Sequence, residues 1–176
     1  MAPGLNRQIG GVLTFTENKP RLMPPVHPQV LLVEDSAHNA ELTFRALKAK
    51  MPSLEYYHLR NGEEALDYLL RRGSYEGQNY ELPLLILLDM DLPKISGLEV
   101  LETLKTDART KAIPVVVVTV STSAAQMQEA YQLGTNSYII KSMNFVKYSL
   151  SIAEIVHYWL VINDLPNHFK PSDHRL

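Results

Sequence analysis

Short apolar runs alternate along the chain with segments whose apolar residues recur at helical spacing. Runs of this length and composition are typical of strands buried on both faces of a sheet. Strands that alternate with helices predict a parallel sheet covered on both faces by right-handed crossovers. We expect five strands, at residues 30–34, 54–59, 84–89, 113–119 and 136–141.

Capping and turn residues mark where the intervening helices begin. Ser36 is a suitable N-cap for the first helix, and Pro52 ends that helix. Asn61 and Gly62 form a turn into the second helix. The glycine-bearing polar segment 73–82 is expected to be a long loop before the third strand. The remaining helices are expected around Leu98, Leu101 and Leu104, at 123–133 and at 144–162.

Composition narrows the class of protein. A chain of 176 residues with a formal charge of −2 suits one globular domain, and the absence of a basic tract argues against nucleic acid as a partner. The absence of cysteine excludes disulfides and thiolate metal sites. We found neither a signal-peptide pattern nor an apolar run of spanning length, so we expect no membrane partner and a cytoplasmic location. Residues 1–28, with five of the eleven prolines, are expected to be an irregular arm.

Polar residues stand where four of the five predicted strands end. Glu34 and Asp35 follow the first strand, Asp89 the third, Thr119 the fourth and Lys141 the fifth. In a parallel sheet the carboxyl ends of the strands share one edge, and the binding crevice lies outside it. We therefore expect these side chains to converge on one site.

The chemistry of this set points to phosphoryl groups. Clustered carboxylates call for a hard divalent cation, and oxygen ligands with room for water suit Mg²⁺. A cation held there bridges to anionic phosphoryl oxygens, which the carboxylates alone would repel. Lys141 is placed to add a second positive charge, and Thr119 to add a hydrogen bond. Asp89 is then placed as the nucleophile, since carboxylates form acyl phosphates.

This ordered set, with Tyr138 three residues before Lys141, resembles the receiver domain of two-component response regulators. The resemblance implies an α/β, flavodoxin-like (βα)5 fold, a doubly wound parallel sheet of strand order 2-1-3-4-5, as a single domain over residues 29–163. It also implies that a histidine kinase donates a phosphoryl group to Asp89. Such a protein is a switch, with at most self-catalysed phosphotransfer and autodephosphorylation, and is not otherwise an enzyme.

The resemblance also assigns ligands for Mg²⁺. Asp35 would bind the ion directly, and Glu34 mainly through water. Asp89 would add a carboxylate oxygen and Asp91 its backbone carbonyl. The Asp91 side chain would be left free to influence dephosphorylation.

Two departures from the family's pattern lie beside the switch residues. In the family, Thr119 and Lys141 would hold the phosphoryl oxygens, and Thr119 and Tyr138 would move on activation. Val120 stands where a very small residue is usual, so we expect narrower access to the site. Ser142 stands where a cis proline usually orients the lysine, which puts the geometry of Lys141 in question.

Longer stretches resemble the small single-domain regulators that partner cyanobacterial and bacterial phytochromes. The resemblance implies a light-sensing, phytochrome-like histidine kinase as the donor. Residues 164–176 form a tail that is too short for an output domain, so we expect signalling through contact with an unknown downstream protein. The stretches that carry the resemblance are VEDSAHNAEL, GSYEGQNYEL, LDMDLPKISGLEVL, SYIIKS and AEIVHYWL.

The last predicted helix carries more apolar residues than one buried face requires. At 100° per residue, one stripe is expected to face the sheet: Phe145, Tyr148, Ile152, Ile155, Val156 and Trp159. The apolar residues off this stripe are Val146, Leu150, Tyr158 and Val161. This surplus favours a homodimer through the fourth helix, fifth strand and fifth helix, with Leu150, Tyr158 and Val161 in its interface.

Two other functions are compatible with parts of the pattern. A haloacid-dehalogenase-like, Mg-dependent phosphatase would use Asp89, Asp91, Thr119 and Lys141. Those enzymes, however, place the paired aspartates on the first strand and further acids after the lysine. A receiver that acts as a phosphorylation-independent scaffold is the third possibility, and only Val120 and Ser142 favour it.

Overall fold

The computed structural model describes residues 27–164. Most of the predicted arm, residues 1–28, and all but the first residue of the predicted tail, residues 164–176, lie outside the described residues. The domain boundaries predicted from the sequence therefore stay predictions.

Five strands and five α-helices alternate along the described chain, as the periodicity predicts. The strands are one or two residues shorter than expected at their ends, because residues such as Glu34 and Asp89 already leave the ladder for the loops. The elements are β1 (Val30–Val33), α1 (Ala37–Lys50), β2 (Tyr56–Leu59), α2 (Gly62–Leu70), β3 (Leu85–Leu88), α3 (Gly97–Thr106), β4 (Val115–Thr119), α4 (Ala124–Gln132), β5 (Ser137–Ile140) and α5 (Phe145–His157).

The five strands form one sheet in the order β2-β1-β3-β4-β5, and every neighbouring pair is parallel. The predicted flavodoxin-like order 2-1-3-4-5 is confirmed. Val33 pairs with Leu59 on one side and Leu88 on the other, so the three strands end at the same level. This register brings the residues after β1 and β3 side by side.

The core lies on both faces of the sheet. Leu31, Val33, Ile86 and Leu88 face one cluster, which α2, α3 and α4 cover. The intervening strand residues, such as Leu32 and Leu87, face a second cluster, which α1 and α5 cover. Burial of each large apolar side chain contributes about 1.5–3 kcal/mol, so both layers hold the strand ends in place.

A polar cap begins each α-helix at the edge of the sheet where the strands end. The side chains of Ser36, Asn61, Ser96, Ser123 and Asn144 each accept a backbone N–H three residues on. The predicted caps Ser36 and Asn61 are confirmed. Each such cap is worth about 1 kcal/mol.

The loop predicted at 73–82 is more ordered than its polar composition suggests. It begins with a 3₁₀ turn, Gly73–Tyr75, and it buries Tyr75 and Tyr80 against Tyr68 of α2. The rings of Tyr68 and Tyr80 stack with centroids 4.7 Å apart, and the Tyr80 hydroxyl donates to the Tyr68 carbonyl over 2.6 Å. The tyrosines therefore anchor the loop to the core.

Helix α5 buries most of the predicted stripe. Tyr148, Ile152 and Val156 are buried against the sheet and α1. The assignment of Phe145 to this stripe was wrong, because the side chain is 44% exposed. It is the first residue of α5 and precedes Tyr148, the first residue that the helix buries.

The apolar residues predicted to lie off the stripe are exposed. Their exposed fractions are 65% for Val146, 61% for Leu150, 44% for Tyr158 and 53% for Val161. After His157 the chain continues as a π-helical turn, Tyr158–Ile162. The outer side of α5 is thus an apolar surface.

The 18 residues Phe145–Ile162 reach a mean hydropathy of 1.3, with 22% of the stretch buried. By length and composition they could cross a membrane, contrary to the expectation that no run was long enough. Lys147 and Glu154 are the charged residues in this stretch, so the average is high although polar residues interrupt it. The inner face of the stretch covers the sheet, as in the core helix of a globular domain.

Candidate functional site

The predicted site residues meet at one edge of the sheet. Glu34, Asp89 and Thr119 are buried where β1, β3 and β4 end, with 2%, 5% and 0% of their surfaces exposed. The backbone N–H of Lys141 donates to the Thr119 carbonyl over 2.7 Å, which fixes the end of β5 beside β4. Asp35 is exposed at the mouth of this cluster.

Three carboxylates form the centre of the cluster. Glu34, Asp35 and Asp89 each offer an oxygen, and these oxygens lie within 4.8 Å of one another. An all-oxygen set at this spacing fits a hard divalent cation that keeps part of its water shell. These three residues could therefore hold a metal ion.

Lys141 links two of these carboxylates. Its Nζ lies 2.5 Å from Glu34 Oε2 and 2.5 Å from Asp89 Oδ2. The lysine side chain is only 8% exposed, so water screens its ion pairs with the two carboxylates only weakly. Lys141 reaches both acids with Ser142 after it, and none of the peptide bonds among residues 27–164 is cis.

Burial and pairing act in opposite directions on these groups. Burial raises the pKa of Glu34, and the hydrogen bond and charge of Lys141 oppose that rise. Burial alone would lower the pKa of Lys141, but its contacts with Asp89 and Glu34 outweigh burial and raise it. Lys141 is therefore cationic at neutral pH, and it offsets the repulsion between the buried acids.

The loop after β3 orients Asp89. Its Oδ1 accepts the Met90 N–H over 2.7 Å and the Asp91 N–H over 3.4 Å, which leaves Oδ2 for Lys141. Gly97, the first residue of α3, packs so closely that an added Cβ would lie 2.2 Å from the Asp89 carbonyl oxygen. The tight approach requires glycine there. Asp91 is exposed beside the cluster.

The residues that hold Glu34 were missed by sequence reasoning. Glu34 Oε1 accepts the Ser36 N–H and the Asn39 side-chain amide, each over 3.2 Å. His58 Nε2 lies 2.8 Å from the Glu34 carbonyl oxygen. Asn39 lies three residues after a cap, and His58 lies on a strand that pairs with β1, so their positions gave a weak signal at most.

The predicted switch residues lie on β4 and β5. The Thr119 hydroxyl accepts the Ser121 N–H over 3.1 Å. Tyr138 is half-buried and its ring centroid lies 6.5 Å from that of Tyr131. Burial, together with the nearby carboxylates of Asp91 and Asp89, raises the pKa of Tyr138. Its hydroxyl thus lies near the acidic cluster.

Val120 does not pack into the cluster. Its side chain is 60% exposed. The position therefore places an apolar group on the outer surface beside Thr119, which is buried.

Comparison with known proteins identifies the protein family. Residues 30–152 match the family model of the response regulator receiver domain. Rcp1, a response regulator of Synechocystis sp., is 39% identical over 137 residues, which cover 78% of this chain and 92% of Rcp1. FilR2 of Methanothrix harundinacea, described as a probable methanogenesis regulatory protein, is 42% identical over 137 residues, covering 78% of this chain and 86% of FilR2.

Solved structures agree with this assignment. Phosphorylated RcpA, a cyanobacterial phytochrome response regulator, has a TM-score of 0.74 and 37% identity, with 80% of this chain and 99% of that chain covered. The Mn²⁺-bound form of Rcp1 has a TM-score of 0.72 and 39% identity, with 78% and 97% covered.

The chain belongs to the response regulator receiver domain family of two-component systems. It resembles phytochrome response regulators, as the sequence motifs indicated. Receiver domains bind a divalent metal in their acidic pocket, and the oxygens of Glu34, Asp35 and Asp89 fit that role. The family assignment also favours a receiver over the haloacid-dehalogenase-like phosphatase.

The burial of His58, beside the Glu34 carbonyl, can be tested by pH. Burial lowers its pKa below the ordinary 6.5, so the unfolded chain binds more protons in this range. The contribution of His58 to the free energy of unfolding is therefore fully present above about pH 6.5. It is lost as the pH drops, by at most about 1.4 kcal/mol per pH unit. We expect urea unfolding of His58→Gln to lose much of this slope.

His38→Gln is the matched control, because His38 is exposed on α1. This variant should keep the wild-type slope. Equal slopes for wild type and His58→Gln would show that burial does not hold His58 neutral.

Proposed function

We propose that this protein is a phosphorylatable response regulator that accepts a phosphoryl group on Asp89 from a histidine kinase. The observation that carries the proposal is the position of Asp89 between two partners. The oxygens of Glu34 and Asp35 beside it are suited to a cation, and Lys141 Nζ lies 2.5 Å from its Oδ2. A carboxylate so placed is a nucleophile whose developing phosphoryl charge meets fixed positive charge.

The metal ligands we propose are Glu34, Asp35 and Asp89, with the backbone carbonyl of Asp91 completing the set. Mg²⁺ is the ion that suits these hard oxygen ligands in a phosphoryl-transfer site. When bound, it would neutralise the acids and supply positive charge for the transferred phosphoryl group.

In the transfer step, a carboxylate oxygen of Asp89 attacks the phosphorus of a phosphohistidine. A phosphorus–oxygen bond forms as the phosphorus–nitrogen bond breaks, and the imidazole leaves with its electron pair. Lys141 keeps its proton and pairs with the transferred group. The Thr119 hydroxyl, buried at the end of β4, donates to a phosphoryl oxygen. The protein thus contributes positioning and electrostatics, as in other phosphoryl transfers.

The proposed readout uses Thr119 and Tyr138. Movement of the Thr119 hydroxyl toward a phosphoryl oxygen opens space beside β5 for the half-buried ring of Tyr138. Receiver domains are generally non-enzymatic signalling domains, and we propose that activity here is limited to phosphotransfer and autodephosphorylation. The output is contact with a downstream protein in the cytoplasm, without nucleic acid or membrane.

We propose a phytochrome-like, light-sensing histidine kinase as the donor. The support is the similarity to Rcp1 and to RcpA, which is described as a cyanobacterial phytochrome response regulator.

A homodimer through α4, β5 and α5 accounts for the exposed apolar surface. Leu150, Tyr158 and Val161 lie on the outer side of α5 and its π-helical end, and each is at least 44% exposed. An apolar patch of this kind marks an interaction site more often than a free surface. A second copy of the chain offers the same patch, as a two-fold interface requires.

The phosphoacceptor is tested with acetyl phosphate and Mg²⁺. We expect intact mass spectrometry to show one added phosphoryl group on the wild-type protein, and none on Asp89→Asn. Chelation of the metal should abolish the addition. Asp91→Asn is the matched control and should still be phosphorylated, because its side chain is not the nucleophile.

Two outcomes would contradict the phosphoacceptor assignment. If no donor, including a cognate kinase, modifies Asp89, the protein is a scaffold that does not depend on phosphorylation. If it releases phosphate from phosphomonoesters over many turnovers, it is a phosphatase.

The dimer is tested by light scattering at micromolar concentration. The wild-type protein should show twice the mass of one 19.9 kDa chain. Leu150→Glu buries a charge in the interface and should yield the single-chain mass. Asn79→Glu adds the same charge to an exposed loop and should remain dimeric. A single-chain mass for the wild type would rule out the dimer.

A further inference from the structure

A buried hydrogen bond joins α1 to α5. The hydroxyls of Thr43 and Tyr148 lie 2.6 Å apart, with 1% and 6% of these residues exposed. Thr43 donates its one hydroxyl proton to the Asn39 carbonyl over 2.9 Å. It can therefore only accept from Tyr148, so the tyrosine is the donor.

The same asparagine contacts the acidic cluster. The Asn39 side-chain amide donates to Glu34 Oε1 over 3.2 Å, while Glu34 Oε2 accepts from Lys141. Lys141 in turn donates to Asp89. Polar contacts therefore lead from the acidic cluster to α5, in the order Asp89, Lys141, Glu34, Asn39, Thr43 and Tyr148. At Asn39 they pass from the side-chain amide, which contacts Glu34, to the backbone carbonyl, which accepts from Thr43.

The series is costly to break at its buried members. Glu34, Thr43 and Tyr148 are all buried, so water does not replace a lost partner. Buried networks of this kind are stabilised as a unit and orient their members. A change at one end therefore favours rearrangement at the next member rather than an unpaired group.

A cation among the three carboxylates, or a phosphoryl group on Asp89, would compete for the contacts of Lys141. The hydrogen bond between Lys141 and Glu34 Oε2 would then weaken or break, and the Glu34 carboxylate would reorient. Its other oxygen, Oε1, is the one that accepts from Asn39. The effect would reach Tyr148 on the inner face of α5. The outer face of that helix carries the exposed Leu150.

We propose that Asn39, Thr43 and Tyr148 are positioning residues that hold Glu34 and transmit metal binding at the acidic cluster to α5. The proposal rests on the metal site of the proposed function. It is separate from the pair Thr119 and Tyr138, which lie on β4 and β5 and take no part in these contacts.

The test is a Mg²⁺ titration followed by amide NMR of the full chain. In the wild type, Mg²⁺ should shift amides at Glu34 and Asp89 and also amides of α5. Tyr148→Phe removes only the hydroxyl, and it should lose the α5 shifts while the shifts near Asp89 persist. Tyr80→Phe is the matched control, since Tyr80 is also buried and also donates one hydrogen bond, but on the other face of the sheet. It should respond like the wild type.

Thr43 distinguishes transmission from simple loss of packing. Thr43→Val keeps the shape and removes the hydroxyl, so the α5 response should be lost. Thr43→Ser restores the hydroxyl and should restore the response.

Each contrary outcome has a separate meaning. Wild-type α5 shifts in Tyr148→Phe would overturn the transmission proposal and leave the metal site standing. The absence of shifts even at Glu34 and Asp89 in the wild type would overturn the metal site and the transmission proposal together.

Discussion

The pairing of one lysine with two buried acids is the interaction on which this structure depends. Glu34 and Asp89 lie at the ends of neighbouring strands, where the parallel register forces them together. Without Lys141 between them, their repulsion in a poorly solvated site would oppose the fold itself. The lysine follows the edge strand β5, so β1, β3, β4 and β5 must be assembled before this charge balance exists. Folding and the reactive centre are therefore linked through one side chain.

Much of the fold and of the central site could be predicted because both depend on periodicity. Alternating strands and helices dictate a parallel sheet, and a parallel sheet gathers the residues that follow its strands. Glu34, Asp89, Thr119 and Lys141 needed no further information to be placed together. The caps Ser36 and Asn61 could also be predicted, since a cap depends on a hydrogen bond to a backbone N–H only three residues away.

The parts that were missed depend on contacts between distant segments. Tyr148 has an ordinary place in an amphipathic helix, and only the docking of α5 on α1 shows that its hydroxyl meets that of Thr43. Asn39 is the exception, since its partner Glu34 lies only five residues earlier in the chain. Tyr75 and Tyr80 lie in a segment without periodicity, so their burial had no sequence signal beyond their aromatic character. Phe145 was predicted to be buried but is exposed, since helical periodicity does not show where the buried part of a helix begins.

Helix α5 connects the chemistry of the edge to the surface of the protein. Its inner face contributes Ile152 to the core and Tyr148 to the buried polar contacts, while its outer face is apolar and exposed. This division explains why its average hydropathy is high although it lies on a globular domain. Under the proposed transmission, a rearrangement at the acidic cluster would reach the helix that carries this exposed apolar surface.

The central claim is that the three carboxylates at the strand ends form a divalent-metal site that serves Asp89. Calorimetric titration with Mg²⁺ tests it most directly, with Asp35→Asn compared to the wild type. The exposed Asp35 is outside the lysine pairing, so its loss should weaken binding at least about ten-fold, a cost that even outer-sphere changes reach. Glu102→Gln, which removes an exposed carboxylate on α3, should leave the affinity unchanged. Equal Mg²⁺ affinity of wild type and Asp35→Asn would contradict the account.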